Sequence, residues 1–170
     1  MPQLSIGILD LVATNRGDRA NPGPGAAFLL TQLGTHAAQL FAERVQAVDL
    51  TPAQVGLLRA VAARPGQSQR ELADLLGALP SRLVALVDEL ESRGLVERRT
   101  SVQDRRHHAL HLTPAGGDLM RRVGELARAH DDAICAGLSR ADRETLRGLL
   151  QRLADANGLT PGVHPGFRRI

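Results

Sequence analysis

The sequence predicts a mainly α-helical chain that carries one small β-hairpin, and three observations lead there. Apolar residues recur at three- and four-residue spacing through most of the chain, the period of amphipathic helices. Residues that start and stop helices punctuate those runs at short intervals. One stretch, Leu95 to Gly116 (LVERRTSVQDRRHHALHLTPAG), departs from that pattern: it alternates like paired strands and is dense in arginine and histidine.

Residues 1–25 read as an extension. The apolar piece LSIGILDLVA is interrupted by Gly7 and Asp10 with no basic residue before it, a poor signal peptide, and ANPGPG (Ala20 to Gly25) then breaks the chain. Leu30, Leu33, Ala37, Leu40, Phe41, Val45 and Val48 form the stripe of a first helix reaching about Val48. Thr51, Pro52 and Gln54 open a second helix, which stops at RPG, Arg64 to Gly66. Ser68 to Glu71 is a capping box for a short third helix with Leu72, Leu75 and Leu76, ended by Gly77. Pro80 begins a fourth, carrying Leu83, Leu86, Val87 and Leu90 and closed at Gly94. The third and fourth helices, joined by a three- or four-residue turn, make a helix-turn-helix.

LVERR and HHALHL come next as strands around the turn TSVQD, with Leu110 and Leu112 on one face of the second strand and His107, Ala109 and His111 on the other. Thr113 and Pro114 cap a long helix striped by Leu119, Val123, Leu126, His130 and Ile134. Ser139 to Asp142 caps a last helix bearing Leu146, Leu149, Leu150 and Leu153 and ended by Asn157 and Gly158. The tail LTPGVHPGFRRI reads as irregular, and no internal repeat is visible.

Composition narrows the function. A chain of 170 residues, 43% hydrophobic and 23% charged, is a single globular domain. All 21 basic residues are arginine, yet the net charge is only +3. The whole excess falls between Arg93 and His111, where five arginines face Glu97 and Asp104, a local basic footprint for a polyanion. Cys135 is the lone cysteine, which excludes an intrachain disulfide and a cysteine-rich zinc site and suits a reducing cytoplasm. No apolar run approaches the roughly 18 residues of a membrane span. No enzyme signature is present: there is no phosphate-binding glycine loop, Gly-x-Ser-x-Gly or His-Glu-x-x-His, and Asp88, Glu89 and Glu91 sit on one helix where adjacent positions face different ways, so no carboxylate pair is expected. Neither a catalytic residue nor a cofactor is expected.

A helix-turn-helix followed at once by a basic hairpin is a winged helix-turn-helix, here flanked by further helices. A helix fits the major groove of duplex DNA, and a narrow arginine-bearing ribbon suits the negative minor groove. In SQRELADLLG, SRLVALVDELESRGLVERR, the DRR at Asp104 to Arg106 and LHLTPAG at Leu110 to Gly116, the chain resembles the MarR family of bacterial transcription regulators. The likeness covers about Ala26 to Gly158 and is specific in its middle third.

The resemblance implies a homodimer in which residues 26–50 and 114–158 interlock as dimerisation helices. Residues 51–113 would be the winged DNA-binding region, all within a domain of residues 26–158 followed by a tail at 159–170. It implies a repressor on double-stranded DNA with an inverted-repeat operator, released by a small organic, often anionic aromatic, ligand. The surplus of apolar stripe on the flanking helices independently favours a two-fold dimer. The candidate DNA contacts are Ser68, Gln69, Ser81, Arg82, Val84, Ala85, Arg98, Arg99, Asp104, Arg105 and Arg106, with Arg82 reading guanine and Val84 or Ala85 meeting a thymine methyl. Two departures from the family stand out: Leu79 occupies the usually polar cap of the recognition helix, and Ala85 replaces a usual arginine.

Each reading has a plainer rival. The arginine cluster can be a solvated charge run, and Ser81 and Arg82 ordinary helix-start surface. His107, His108 and His111 raise a zinc-responsive regulator, but alternation leaves at most two on one face, and no metal site is expected. His36 and His130 are expected to be buried and hydrogen-bonded, with His36, Leu40 and His130 the candidate lining of an effector pocket. Cys135 is expected to be an inert buried thiol. A winged helix used only for protein contact is the remaining alternative.

Overall fold

The computed structural model describes residues 23–100 and 108–169. Six α-helices and a two-stranded hairpin occur in the order α1 (Ala26–Gln46), α2 (Pro52–Ala63), α3 (Gln69–Leu76), α4 (Pro80–Ser92), β1 (Val96–Thr100), β2 (His108–Leu112), α5 (Pro114–Ile134) and α6 (Arg140–Ala156). The chain divides into two units, the first ending at Thr35 and the second beginning at His36. Within the first, the start of α1 leaves Phe28, Leu29, Leu30 and Leu33 exposed.

In the second unit the caps form where the side chains dictate. Thr51 Oγ1 accepts from Gln54 N–H at 3.3 Å while Gln54 Oε1 accepts from Thr51 N–H at 2.8 Å, so buried Gln54 has a partner for its carbonyl. Ser68 and Glu71 make the same reciprocal pair at the start of α3, and Gly77, in the left-handed region, ends it. Ala78 and Leu79 complete a tight connection to α4, whose buried face is Leu83, Val87 and Leu90.

β1 and β2 pair antiparallel, Val96 opposite Leu112 and Thr100 opposite His108. Thr100, expected in the turn, lies in the strand; the remainder of that turn, with Asp104, Arg105, Arg106 and His107, lies outside the described residues. The expected division of β2 into one apolar and one polar face is only partly realised, because Ala109 is buried along with Leu110. The cause is a third backbone partner: Gly66 N–H donates to Leu110 C=O and Leu110 N–H to Gln67 C=O, both at 2.9 Å, so the α2–α3 loop pairs with the strand's other edge.

Leu57, Leu58, Val61, Leu72, Leu83, Val87, Leu90, Val96 and Leu110, from α2 through β2, form the centre of the core. From α5 only Gly116 and Val123 are buried, and α6 buries no residue. The tail differs from its expected irregularity: Pro165–Arg169 is a 3-10 helix, and Phe167 enters the core at 4% exposure.

Candidate nucleic-acid interface and effector pocket

Helix α4 buries one stripe and exposes the opposite one, and Ser81, Arg82, Val84 and Ala85 all lie on the exposed side. Its N-cap, Leu79, makes no side-chain cap bond. Pro80 has no N–H, and the Arg82 and Leu83 N–H groups both donate to Leu79 C=O at 3.0 Å, so what this helix start offers a phosphate is the Ser81 N–H and the positive end of the helix dipole.

The hairpin is fastened to this helix by Arg98. Its guanidinium pairs with both Asp88 and Glu91 of α4, its own backbone N–H donates to Glu91 Oε1 at 3.3 Å, and its side chain is 21% exposed. Gln69, its amide oxygen turned to the same guanidinium, accepts from Nη2 and Nε at 2.6 and 3.1 Å. One arginine thus joins the start of α3, the body of α4 and β1. Ser68 is similarly occupied, its hydroxyl donating to Glu71 Oε2 at 2.8 Å while accepting the cap bond. Arg99 is exposed and paired with Glu97 at 2.5 Å along the same strand.

The pocket candidates separate. His36 is exposed, contrary to the expected burial: it shares a face with half-buried Leu40 one turn on, but lies well round the helix from Phe41 and Val45, which meet the core. His130 meets the ring of Phe41 with centroids 5.5 Å apart and a 59° tilt, and its Nδ1 is buried without a hydrogen-bond partner among the described residues, where a bonded side chain was expected. Burial holds its pKa below 6.5, helped by the nearby Arg44 cation and opposed by Asp131. Arg44 Nε is likewise buried without a partner among the described residues. A cation, an imidazole and an aromatic ring therefore share this region between α1 and α5.

The MarR family's sequence profile matches residues 48–107. A protein of Thauera aromatica, assigned as the transcriptional regulatory protein for the hcr operon, is 40% identical over 112 residues, spanning 66% of this chain and 68% of its own length. The chain belongs to the MarR family. It is a DNA-binding transcription regulator. Its fold matches that of the transcriptional repressor CouR, solved on a 23-mer DNA duplex, at 37% identity and a TM-score of 0.67 over 76% of this chain and 92% of that one. Wild-type MarR of E. coli in its apo form shares the fold at 22% identity and a TM-score of 0.68, over 76% of this chain and 97% of that one.

Two parts of this MarR chain escaped the sequence. Arg44 comes four residues after Leu40 on the first helix, so its place beside the stripe was the available signal. The motif residue Gly116 has a steric reason that no pattern reveals: a Cβ at that position would lie 2.0 Å from the Leu95 carbonyl oxygen. That close approach lets Thr113 Oγ1 accept its cap bond from Gly116 N–H while donating to Gly94 C=O at 2.6 Å, locking the hairpin base to α5.

Proposed function

We propose that this MarR-family chain is a homodimeric repressor that grips an inverted-repeat operator and lets go when a small organic anion, aromatic in character, binds. The observation that carries the DNA half is the exposed α4 stripe of Ser81, Arg82, Val84 and Ala85 beside a hairpin fixed to the same helix. Arg82 reads a base edge, Val84 or Ala85 meets a thymine methyl, and Arg99 meets phosphate. Arg98, Gln69 and Ser68 act through geometry, since their polar groups are engaged within the protein. For the residues outside the described part, the family resemblance assigns minor-groove entry to Arg106, phosphate contact to Arg105 and a supporting role to Asp104.

Residues 26–50 and 114–158 serve the two-fold interface. Exposed Leu146, Leu149, Leu150 and Leu153 on α6, and separately Phe28 and Leu33 on α1, support that assignment. The effector meets Arg44, His130 and Phe41, with Leu40 on the same helix: the Arg44 cation, whose Nε has no partner among the described residues, takes a carboxylate and the ring takes an aromatic face. Bound preferentially to the DNA-incompetent dimer, it weakens operator affinity by a typical coupling of about 1–3 kcal/mol.

Fluorescence anisotropy with an inverted-repeat duplex, half-sites roughly 10 bp apart, tests the reading. Tight binding that falls steeply with salt and is relieved by benzoate-type ligands is expected. Equal affinity for operator and scrambled duplex at physiological salt would refute sequence-specific regulation, and loss of binding with a chelator, restored by zinc, would replace the organic effector with a metal.

A further inference from the structure

The twelve residues from Leu159 to Ile170 come after the last flanking helix, and the repressor reading assigns them nothing. Their sequence writes two Pro-Gly turns. In the first, Pro161 and Gly162, at φ 72°, carry the chain round so that Val163 N–H donates to Thr160 C=O at 3.1 Å. In the second, Pro165 and Gly166 open the 3-10 helix, and Phe167 N–H donates to His164 C=O at 3.1 Å. The result returns Phe167 to α2.

Its seat there is built. The ring lies over Gly56, where a Cβ would come within 2.4 Å of it. Glycine is unfavourable inside a helix, and here it makes the room that the ring fills. Three residues along the same helix, Arg59 donates to the Gly162 carbonyl. Val163 packs on the core, and Val163 and Pro165 border a groove whose other wall is Leu75 to Gly77 at the end of α3. By contrast, α6 buries no side chain of its own. The tail is thus better packed than the helix it extends.

We propose that Leu159 to Phe167 is a clasp joining the end of α6 to α2 and α3, and that Phe167 is a positioning residue for operator binding. Its functional half rests on the dimeric-repressor reading, in which α6 belongs to the two-fold interface. Two recognition helices must present themselves one DNA turn apart, and any freedom between α6 and the winged region spreads the dimer over spacings that do not fit. Only the fitting fraction binds the operator tightly, so releasing the clasp lowers apparent affinity without removing a DNA contact.

The test uses the full chain with Cys135→Ser and spin labels at two exposed positions, Arg70 on α3 and Gln151 on α6, diluted into unlabelled chain so that the intrachain distance is read. Phe167→Ala should broaden that distance distribution and weaken operator binding about tenfold, leaving the scrambled-duplex affinity and the salt slope unchanged. Phe167→Leu should restore both readouts in large part. An unchanged distribution, or equal loss on both duplexes, overturns the proposal and leaves Phe167 as core filling only. Should Phe167→Ala fail to fold, Arg59→Ala removes only the tie to Gly162 and is judged by the same two readouts. The label distance is independent of DNA, so a broadened distribution in a chain whose parent binds no operator supports the clasp and refutes the repressor reading alone.

Discussion

The winged region and the helices that flank it are built on opposite terms. From α2 to β2 nearly every apolar stripe finds a partner within the chain: Leu57, Leu58, Leu72, Leu83, Leu90 and Leu110 are fully buried. On α6 the stripe is as regular, yet Leu149 and Leu153 are 49% and 48% exposed. Periodicity alone therefore does not distinguish a helix that completes its own core from one that awaits another surface. The first kind fixes the shape of the winged region; under the proposed dimer, the second would set how many such shapes are carried together.

The sharpest way to break this contrast is to charge the flanking stripe. Leu150→Arg with Leu153→Arg should raise the dimer dissociation constant by on the order of 1,000-fold or more, since each buried leucine contributes about 2 kcal/mol and its replacement would bury a cation. Sedimentation should show the 18.2 kDa monomer. Far-UV circular dichroism should keep its helical signal, because neither leucine belongs to the core. Loss of the fold instead of the dimer would mean that the two regions are not separable.

Gly116 sits on the seam between them and should give the next largest effect. Gly116→Ala places a methyl on the Leu95 carbonyl, a backbone atom that cannot swing aside. About 3 kcal/mol of destabilisation is expected from overpacking, read from urea unfolding midpoints. A loss under about 0.5 kcal/mol, the range of a neutral surface change, would show that the hairpin base and α5 move independently.

Within the winged region, Arg98 separates bracing from contact. Arg98→Ala strands Asp88 and Glu91 without their cation and should cost about 1 kcal/mol of operator binding, the pairs being partly exposed. The salt slope should stay the same. A slope flatter by about one unit would place Arg98 on a phosphate instead.

Much of this was legible beforehand because local chemistry decided it. Capping boxes at Thr51 and Ser68, prolines at helix starts and Gly77 act within a few residues, so the α-helices of the described residues were placed to within two residues or so. Contacts between distant segments were not legible. Arg98 carries no mark that it turns toward α4, His36 lies near a stripe yet is exposed, and Gly66 pairs with Leu110 across more than forty residues. The tail is the instructive case: its Pro-Gly turns were visible, but the seat at Gly56 that gives them meaning lies on another helix.

The smallest expected effect tests a titrating group poised where flanking helices meet. His130 is held below its ordinary pKa of 6.5, first by burial and then by Arg44, so the folded chain prefers it neutral. Its neutral form binds no proton in either state well above pH 6.5, and stability there is unaffected. As pH falls through 6.5 the unfolded chain takes up a proton that the folded chain resists, so stability declines until the lowered folded pKa is passed. His130→Gln should remove that part of the acid slope, seen as a smaller drop in melting temperature between pH 7.5 and 5.5. An anionic ligand beside Arg44 should reverse the sign of the environment, because a carboxylate in that region favours imidazolium. His130 would then titrate at higher pH with benzoate bound than without, an NMR shift of the ring resonances that a ligand binding elsewhere would not produce. Unmoved ring resonances at saturating benzoate would take the effector out of this part of the molecule.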